Sequence, residues 1–375
     1  TKESYADPAF RAHLAGGIRY ATKLSEAGCG KPTEADPVDA DFDQITLAKG
    51  EEKLGEPIAL SVLPNRDVLH TSRDGRVWYT SSGATTKLAA QIPVYNHDED
   101  GLQGVAIDPD FANNRWVYLY YAPKLSTPAG DAPETGAPAD FEPFKGYNQL
   151  SRFKLAEDNT LDLTSEQKVL QVGTERGICC HAGGEIDFDA QGNLYLSTGD
   201  DSNPFSSDGF TPIDERADRN PVYDAQRSAG NTNDLRGKVL RIKVGEDGAY
   251  TVPPGNLFAE GTGKTRPEIY AMGFRNPFRF AVDRQTGWIH LGDYGPDAGA
   301  ANSARGPGGT VEFNLIKKPG NFGWPYCIGD NQPFVDYDFA TGQSGAAFDC
   351  AATKNTSPHN TGLTDLPPVE KAWIP

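Results

Sequence analysis

His181 lies in Cys179-Cys180-His181-Ala182-Gly183-Gly184-Glu185, a run of small residues just before a strand-like stretch that ends in Ser197-Thr198-Gly199-Asp200-Asp201. An imidazole set there can act as a general base near neutral pH, or it can be a structural group. A second cluster, Gly273-Phe274-Arg275-Asn276-Pro277-Phe278-Arg279, also precedes a strand. Its guanidinium and amide can stabilise developing negative charge, or Arg275 can simply pair with an acid. The loop leaving that strand is Gly292-Asp293-Tyr294-Gly295-Pro296-Asp297, a third polar cluster at a strand end. Asp200, Asp201 and Asn203 offer a candidate calcium loop, while Glu312 and Asn314 read as partners for nearby backbone. Trp324 and Tyr326, after Gly320-Asn321-Phe322-Gly323, supply either a wall on which a sugar stacks or a piece of core.

These clusters need a scaffold that brings distant loops together. Val68-Leu69-His70-Thr71-Ser72, then Asp74-Gly75, then Arg76-Val77-Trp78-Tyr79 reads as strand, tight turn, strand. The same grammar returns around Val105–Tyr120, Ile186–Leu196 and Phe280–Leu291. The spacing is one or two multiples of about 40 residues, the blade period of a propeller. A β-sandwich has hairpins too, but no reason to repeat one at that interval. The expectation is an all-β fold, a β-propeller with four or five blades in view over residues 42–375. A propeller closes by contact between its first and last blades, so the remainder is expected beyond Pro375.

Taken in order, the motifs resemble the soluble PQQ-dependent glucose and aldose sugar dehydrogenases, a family of six-bladed propellers. The resemblance rests on Leu102-Gln103-Gly104-Val105-Ala106-Ile107-Asp108-Pro109-Asp110-Phe111, the His-x-Gly-Gly at 181–184 and Leu-Arg-Gly-Lys-Val-Leu-Arg-Ile at 235–242. It continues through Arg275-Asn276-Pro277, Gly295-Pro296 and Gly320-Asn321-Phe322-Gly323-Trp324-Pro325. It implies that His181 is the base that takes the anomeric hydroxyl proton while hydride passes to pyrroloquinoline quinone (PQQ), with Asp200 assisting. It further implies that Arg275, Asn276 and Tyr294 contact the cofactor, and that the Gly295 and Pro296 carbonyls hold Ca²⁺. Glu99 takes the position of a polar residue near the substrate, and Trp324 and Tyr326 are the candidate sugar contacts. Partners would be a sugar or oligosaccharide and an external electron acceptor.

Three departures stand out. Tyr294 replaces the Gln of the best-known members, Cys180 replaces an Asp, and residues 298–309 are an insertion. The Lys and Arg residues that clamp the PQQ carboxylates in that family come later in the chain, and most of them are expected beyond Pro375. Two other readings compete with the dehydrogenase: a non-catalytic carbohydrate-binding propeller, and a propeller lyase or hydrolase, for which no acid/base pair is identifiable.

Composition narrows the setting. Gly 41 and Pro 28 suit many short strands, and a net charge of −17 disfavours nucleic acid and anionic membranes. No apolar window is long enough for membrane insertion. Cys327 and Cys350 flank a turn-rich stretch suited to a disulfide, while Cys179 and Cys180 are either a vicinal disulfide or two buried thiols. The compartment is expected to be secreted or periplasmic. Apolar Phe10, Leu14, Ile18 and Ala21 predict one helix within residues 1–23. That stretch also resembles the closing segment of ThuA-like domains, and residues 24–41 read as a linker.

Overall fold

The structure, a computed structural model, describes residues 45–49 and 52–374. The N-terminal helix or ThuA-like remnant (1–23) and the linker (24–41) lie outside the described residues. All the elements below belong to the compact unit from Ala48 to Pro375.

Four antiparallel blades follow one another along the chain. The first is β1 (Pro57–Val62), β2 (Val68–Ser72), β3 (Arg76–Thr80) and β4 (Thr86–Gln91), paired in sequence order. The second is β5 (Leu102–Ile107), β6 (Trp116–Tyr121), β7 (Lys145–Leu155) and β8 (Leu161–Glu175), again in order. The third runs β9 (Gly183–Phe188), β10 (Leu194–Thr198), β11 (Lys238–Val244) and β13 (Ile269–Met272), with β12 (Tyr250–Thr251) beside β11. The fourth is β14 (Arg279–Val282), β15 (Ile289–Asp293) and β16 (Glu312–Ile316). A short β17 (Gly320–Asn321) joins the third sheet parallel to β13. The expected hairpins fall within the blades, and the described residues form four blades, within the four or five expected in view, where the family resemblance implied a six-bladed ring.

Alternation along each strand explains why the blades stack. On β6, Val117, Leu119 and Tyr121 face a core shared with Leu69 and Val77 of the first blade. The intervening Tyr118 and Tyr120 face a second core with Leu194, Leu196 and Leu240 of the third. On β10, Tyr195 turns the other way, onto a third core with Phe280, Ile289 and Leu291 of the fourth blade. Each blade interface thus has its own apolar layer, as period-two side chains on a doubly covered sheet require. The innermost strands β1, β5, β9 and β14 pack side by side in chain order. Among the described residues no helix is long and apolar enough to cross a membrane.

The Cys327–Cys350 disulfide is formed, and Cys179 and Cys180 are bonded to each other.

Candidate active site

In an antiparallel pair the start of one strand lies beside the end of the next. Gly183 opens β9 opposite Thr198 at the end of β10, and Arg279 opens β14 opposite Gly292 near the end of β15. The loops before β9 and β14 and after β10 and β15 therefore share one rim.

Glycines let these loops approach. Gly183 and Gly184 have φ of +64° and +112°, a region that L side chains rarely occupy. At Gly199 the conformation is ordinary but the space is not: a Cβ there would fall 2.0 Å from the His181 carbonyl oxygen. The small residues around His181 are what allow its backbone to lie against the end of β10.

His181 Nδ1 lies 2.7 Å from Asp200 Oδ1, and the two side chains are 5% and 0% exposed. Asp200 also accepts from the Ser202 amide at 2.9 Å, the Ser202 hydroxyl at 2.6 Å and Trp324 Nε1 at 2.7 Å. Burial alone would raise its pKa. The neighbouring His181, the Ser202 hydroxyl and the Arg275 charge outweigh that and hold the carboxyl below its usual range. A carboxylate on Nδ1 selects the tautomer with the proton on that nitrogen, leaving Nε2 with its lone pair.

The Arg275-Asn276 turn is fixed through its backbone. Asp293, at the end of β15, accepts the Arg275 amide at 3.0 Å and the Asn276 amide at 2.7 Å, one on each oxygen. The Arg275 carbonyl accepts the Asp200 amide at 2.8 Å, and Asn276 Oδ1 accepts the Gly183 amide at 3.1 Å. The histidine loop and the arginine loop are thus bonded directly to each other. Burial, with the Glu312 carboxyl nearby, pushes Asp293 well above the ordinary carboxylate range.

His181, Cys180, Arg275, Asn276, Glu99, Tyr294 and Gly295 line one cavity of about 490 Å³, a size suited to a small-molecule site. Phe205 and Tyr294 stand at it 72% and 54% exposed. Arg275 Nη2 reaches Asp297 at 3.5 Å. Pro296 lines only a smaller cavity behind, with Asp293 and Glu312. A Cβ on Gly295 would fall 1.7 Å from the Thr310 carbonyl oxygen, and one on Gly309 would fall 1.7 Å from that of Pro296. The end of the insertion therefore packs onto the Gly-Pro turn. Neither the Gly295 nor the Pro296 carbonyl accepts a hydrogen bond among the described residues. Two free carbonyls are donors of the kind a hard cation takes.

Trp324 and Tyr326 are not part of a sugar wall, and that expectation is corrected. They are 4% and 1% exposed, packed against Phe334 and Phe348 respectively. Neither ring lines the large cavity, although Trp324 edges the smaller one beside Gly295 and Pro296. Asp200, Asp201 and Asn203 do not converge as a calcium loop either. Asp200 turns to His181, Asp201 pairs with Arg236 at 2.7 Å, and Asn203 donates to the Cys179 carbonyl. Glu312 and Asn314 do bond locally, Glu312 to the Gly329 amide and Asn314 to Glu312. Sequence reasoning gave no role to Asp293, Phe205 or Phe278. An acid closing the strand opposite a Gly-x-Arg-Asn turn was the available signal for Asp293.

The family model for Glucose / Sorbosone dehydrogenase matches residues 54–344. Aldose sugar dehydrogenase YliI of Escherichia coli K12 is 27% identical over 73% of this chain and 60% of its own length. Quinoprotein glucose dehydrogenase B of Acinetobacter calcoaceticus is 25% identical over 83% of this chain and 59% of its own. A solved glucose dehydrogenase structure superposes with a TM-score of 0.52 at 26% identity, covering 73% of this chain and 65% of that one. The chain spans about three fifths of the length of these two curated relatives. With the blades, the rim loops and a match across most of its length in agreement, this chain belongs to the glucose/sorbosone dehydrogenase family.

Proposed function

We propose that the protein oxidises a sugar at its anomeric hydroxyl with PQQ and Ca²⁺, His181 acting as general base. The observation that carries this reading is the buried His181–Asp200 pair opening onto the same cavity as Arg275 and Asn276. When bound, the quinone supplies the hydride acceptor and the cation polarises it. The chain's own residues do the rest. His181 Nε2 takes the hydroxyl proton, and Asp200 stabilises the resulting imidazolium through Nδ1–H. Arg275 and Asn276, held by Asp293 and bonded to the histidine loop, offer a fixed cation and an amide toward the reduced cofactor's negative charge. The Gly295 and Pro296 carbonyls would hold the cation. Tyr294 offers its ring to the cofactor, Phe205 and Phe278 offer apolar faces to a sugar ring, and Glu99 and Gln103 offer hydrogen-bonding groups. The Cys327–Cys350 disulfide supports an extracytoplasmic setting.

Reconstitution with PQQ and CaCl₂, followed by dye-linked oxidation of aldoses, tests the proposal. His181→Ala should lose about 10²–10⁴-fold in turnover, the range that general-base catalysis contributes. Turnover unchanged in that variant would refute it.

A further inference from the structure

Behind the His181 loop lies a second, smaller chamber, and we infer that it is a calcium-type cation site separate from the Gly295-Pro296 turn. The chamber has a volume of about 20 Å³, room for one water-sized occupant. Asn148 of β7 and Thr174 of β8 line it, 3% and 9% exposed. Asn148 Oδ1 and Thr174 Oγ1 are both buried without a hydrogen-bond partner. Two orphaned oxygens on the wall of one cavity call for an occupant that accepts their lone pairs, because leaving each bare costs about 1–3 kcal/mol.

Charge decides between a water and a cation. Asp98, Glu99 and Asp100 also line the chamber, and Asp201, held by Arg227 and Arg236, adds its charge to the wall without serving as a ligand. Glu175 and Asp234 extend the acidic set through the ion pairs of Arg227 and Arg236. Arg176 acts on Asp100 and Asp201 from the other side. These carboxyl groups face the guanidiniums of Arg176, Arg227 and Arg236, with Arg73 donating to the Asp98 backbone carbonyl, and a divalent ion would offset the negative charge that remains. His97 contacts Asp98 at 2.9 Å but adds charge only when protonated.

Among the described residues no three of these carboxylates come within 4.8 Å of one another, so the ion takes the amide and hydroxyl oxygens with at most two carboxylates, waters completing a shell of the oxygen donors that suit Ca²⁺. Glu99 and the sulfurs of Cys179 and Cys180 also lie within 4.8 Å of one another here. Those sulfurs are bonded to each other, so they offer no thiolate to a soft metal and serve as wall. An ion in this position ties β7 and β8 to the loop carrying Asp98, Glu99 and Asp100, bracing the histidine from behind.

The test is metal binding by the whole chain after chelation, independent of PQQ and of turnover. Calcium titration by calorimetry, and terbium luminescence sensitised by tyrosine, should report one more equivalent than the Gly295-Pro296 carbonyls account for. Thr174→Val and Asn148→Leu should each weaken that equivalent by roughly tenfold or more, leaving any backbone-carbonyl site intact. Asp100→Asn, nearly isosteric, should do the same should either of the other two fail to fold. Equal stoichiometry and affinity in the wild type and the folded variants would mean that the chamber holds water alone, and would overturn the inference. Loss of dehydrogenase activity with this pattern intact would instead count against the proposed function.

Discussion

Replacing Asp200 by Asn changes one atom and reverses part of a crowded hydrogen-bond pattern. Oδ1 receives His181 Nδ1 at 2.7 Å and the Ser202 amide at 2.9 Å, while Oδ2 receives the Ser202 hydroxyl at 2.6 Å and Trp324 Nε1 at 2.7 Å. If the new NH₂ takes the Oδ2 place, it meets the indole N–H, which cannot turn around. If it takes the Oδ1 place, it meets the Ser202 amide and forces His181 to accept at Nδ1, moving the ring proton to Nε2. One orientation costs a charge-assisted bond to the indole, the other removes the base. Bonds to charged groups contribute about 1.5–3 kcal/mol each, so a loss near 3 kcal/mol of stability is expected in thermal or denaturant unfolding. Where the wrong tautomer forms, turnover falls by about 10³–10⁴. The assay is dye-linked aldose oxidation by the reconstituted protein, with the ¹⁵N shifts of His181 reporting the tautomer. A variant within roughly threefold of wild-type turnover, with Nδ1 still protonated, would refute the claim that this carboxylate sets the base.

Asp293→Ala leaves two buried backbone amides without acceptors, at about 1–3 kcal/mol each. Reduced thermal stability and weaker PQQ binding, measured by quinone absorbance, are expected together. Glu185, against Arg279 at 3.2 Å, is pushed up to about 7 by burial. The folded state then keeps a proton that the unfolded chain releases, so this group's contribution is full below its unfolded pKa and is lost as pH rises through 7. Unfolding midpoints at pH 5 and 7 should differ less in Glu185→Gln than in the wild type. Removing the Cys327–Cys350 bridge, which spans a sequence separation of 23, frees a loop worth about 3 kcal/mol by chain entropy. Cys327→Ala/Cys350→Ala should lower the denaturation midpoint accordingly under non-reducing conditions.

The blades were legible because their signal is local. An Asp-Gly turn at 74–75 and alternation along Val68–Tyr79 are enough to announce β2 and β3. The site was legible for a related reason: His181, Asp200, Arg275 and Gly295 each flank a strand end, and antiparallel pairing carries such ends to one rim. What could not be read was which way side chains turn once there. Asp201 and Asn203 look like calcium ligands in sequence, yet Asp201 is taken by Arg227 and Arg236 from a loop more than 20 residues away. Only the three-dimensional partner decides between ligand and ion pair. Nor does adjacency in sequence settle whether Cys179 and Cys180 are bonded.

Trp324 is the residue where sequence and structure disagree most usefully. Its position after Gly323 left a sugar wall and a place in the core both open, and its 4% exposure puts it in the core. Yet its indole N–H ends on Asp200 Oδ2, the oxygen not used by His181. A donor there cannot rotate away, so it fixes the carboxylate plane and thereby the edge presented to the imidazole. Trp324→Phe keeps most of the packing against Phe334 while removing this donor. Stability should fall by about 1.5–3 kcal/mol, the range for a hydrogen bond to a charged group. If Trp324 positions the dyad, the pH profile of turnover also shifts, because the Asp200 charge seen by His181 has lost a partner. A stability loss with an unchanged pH profile would confine Trp324 to the core.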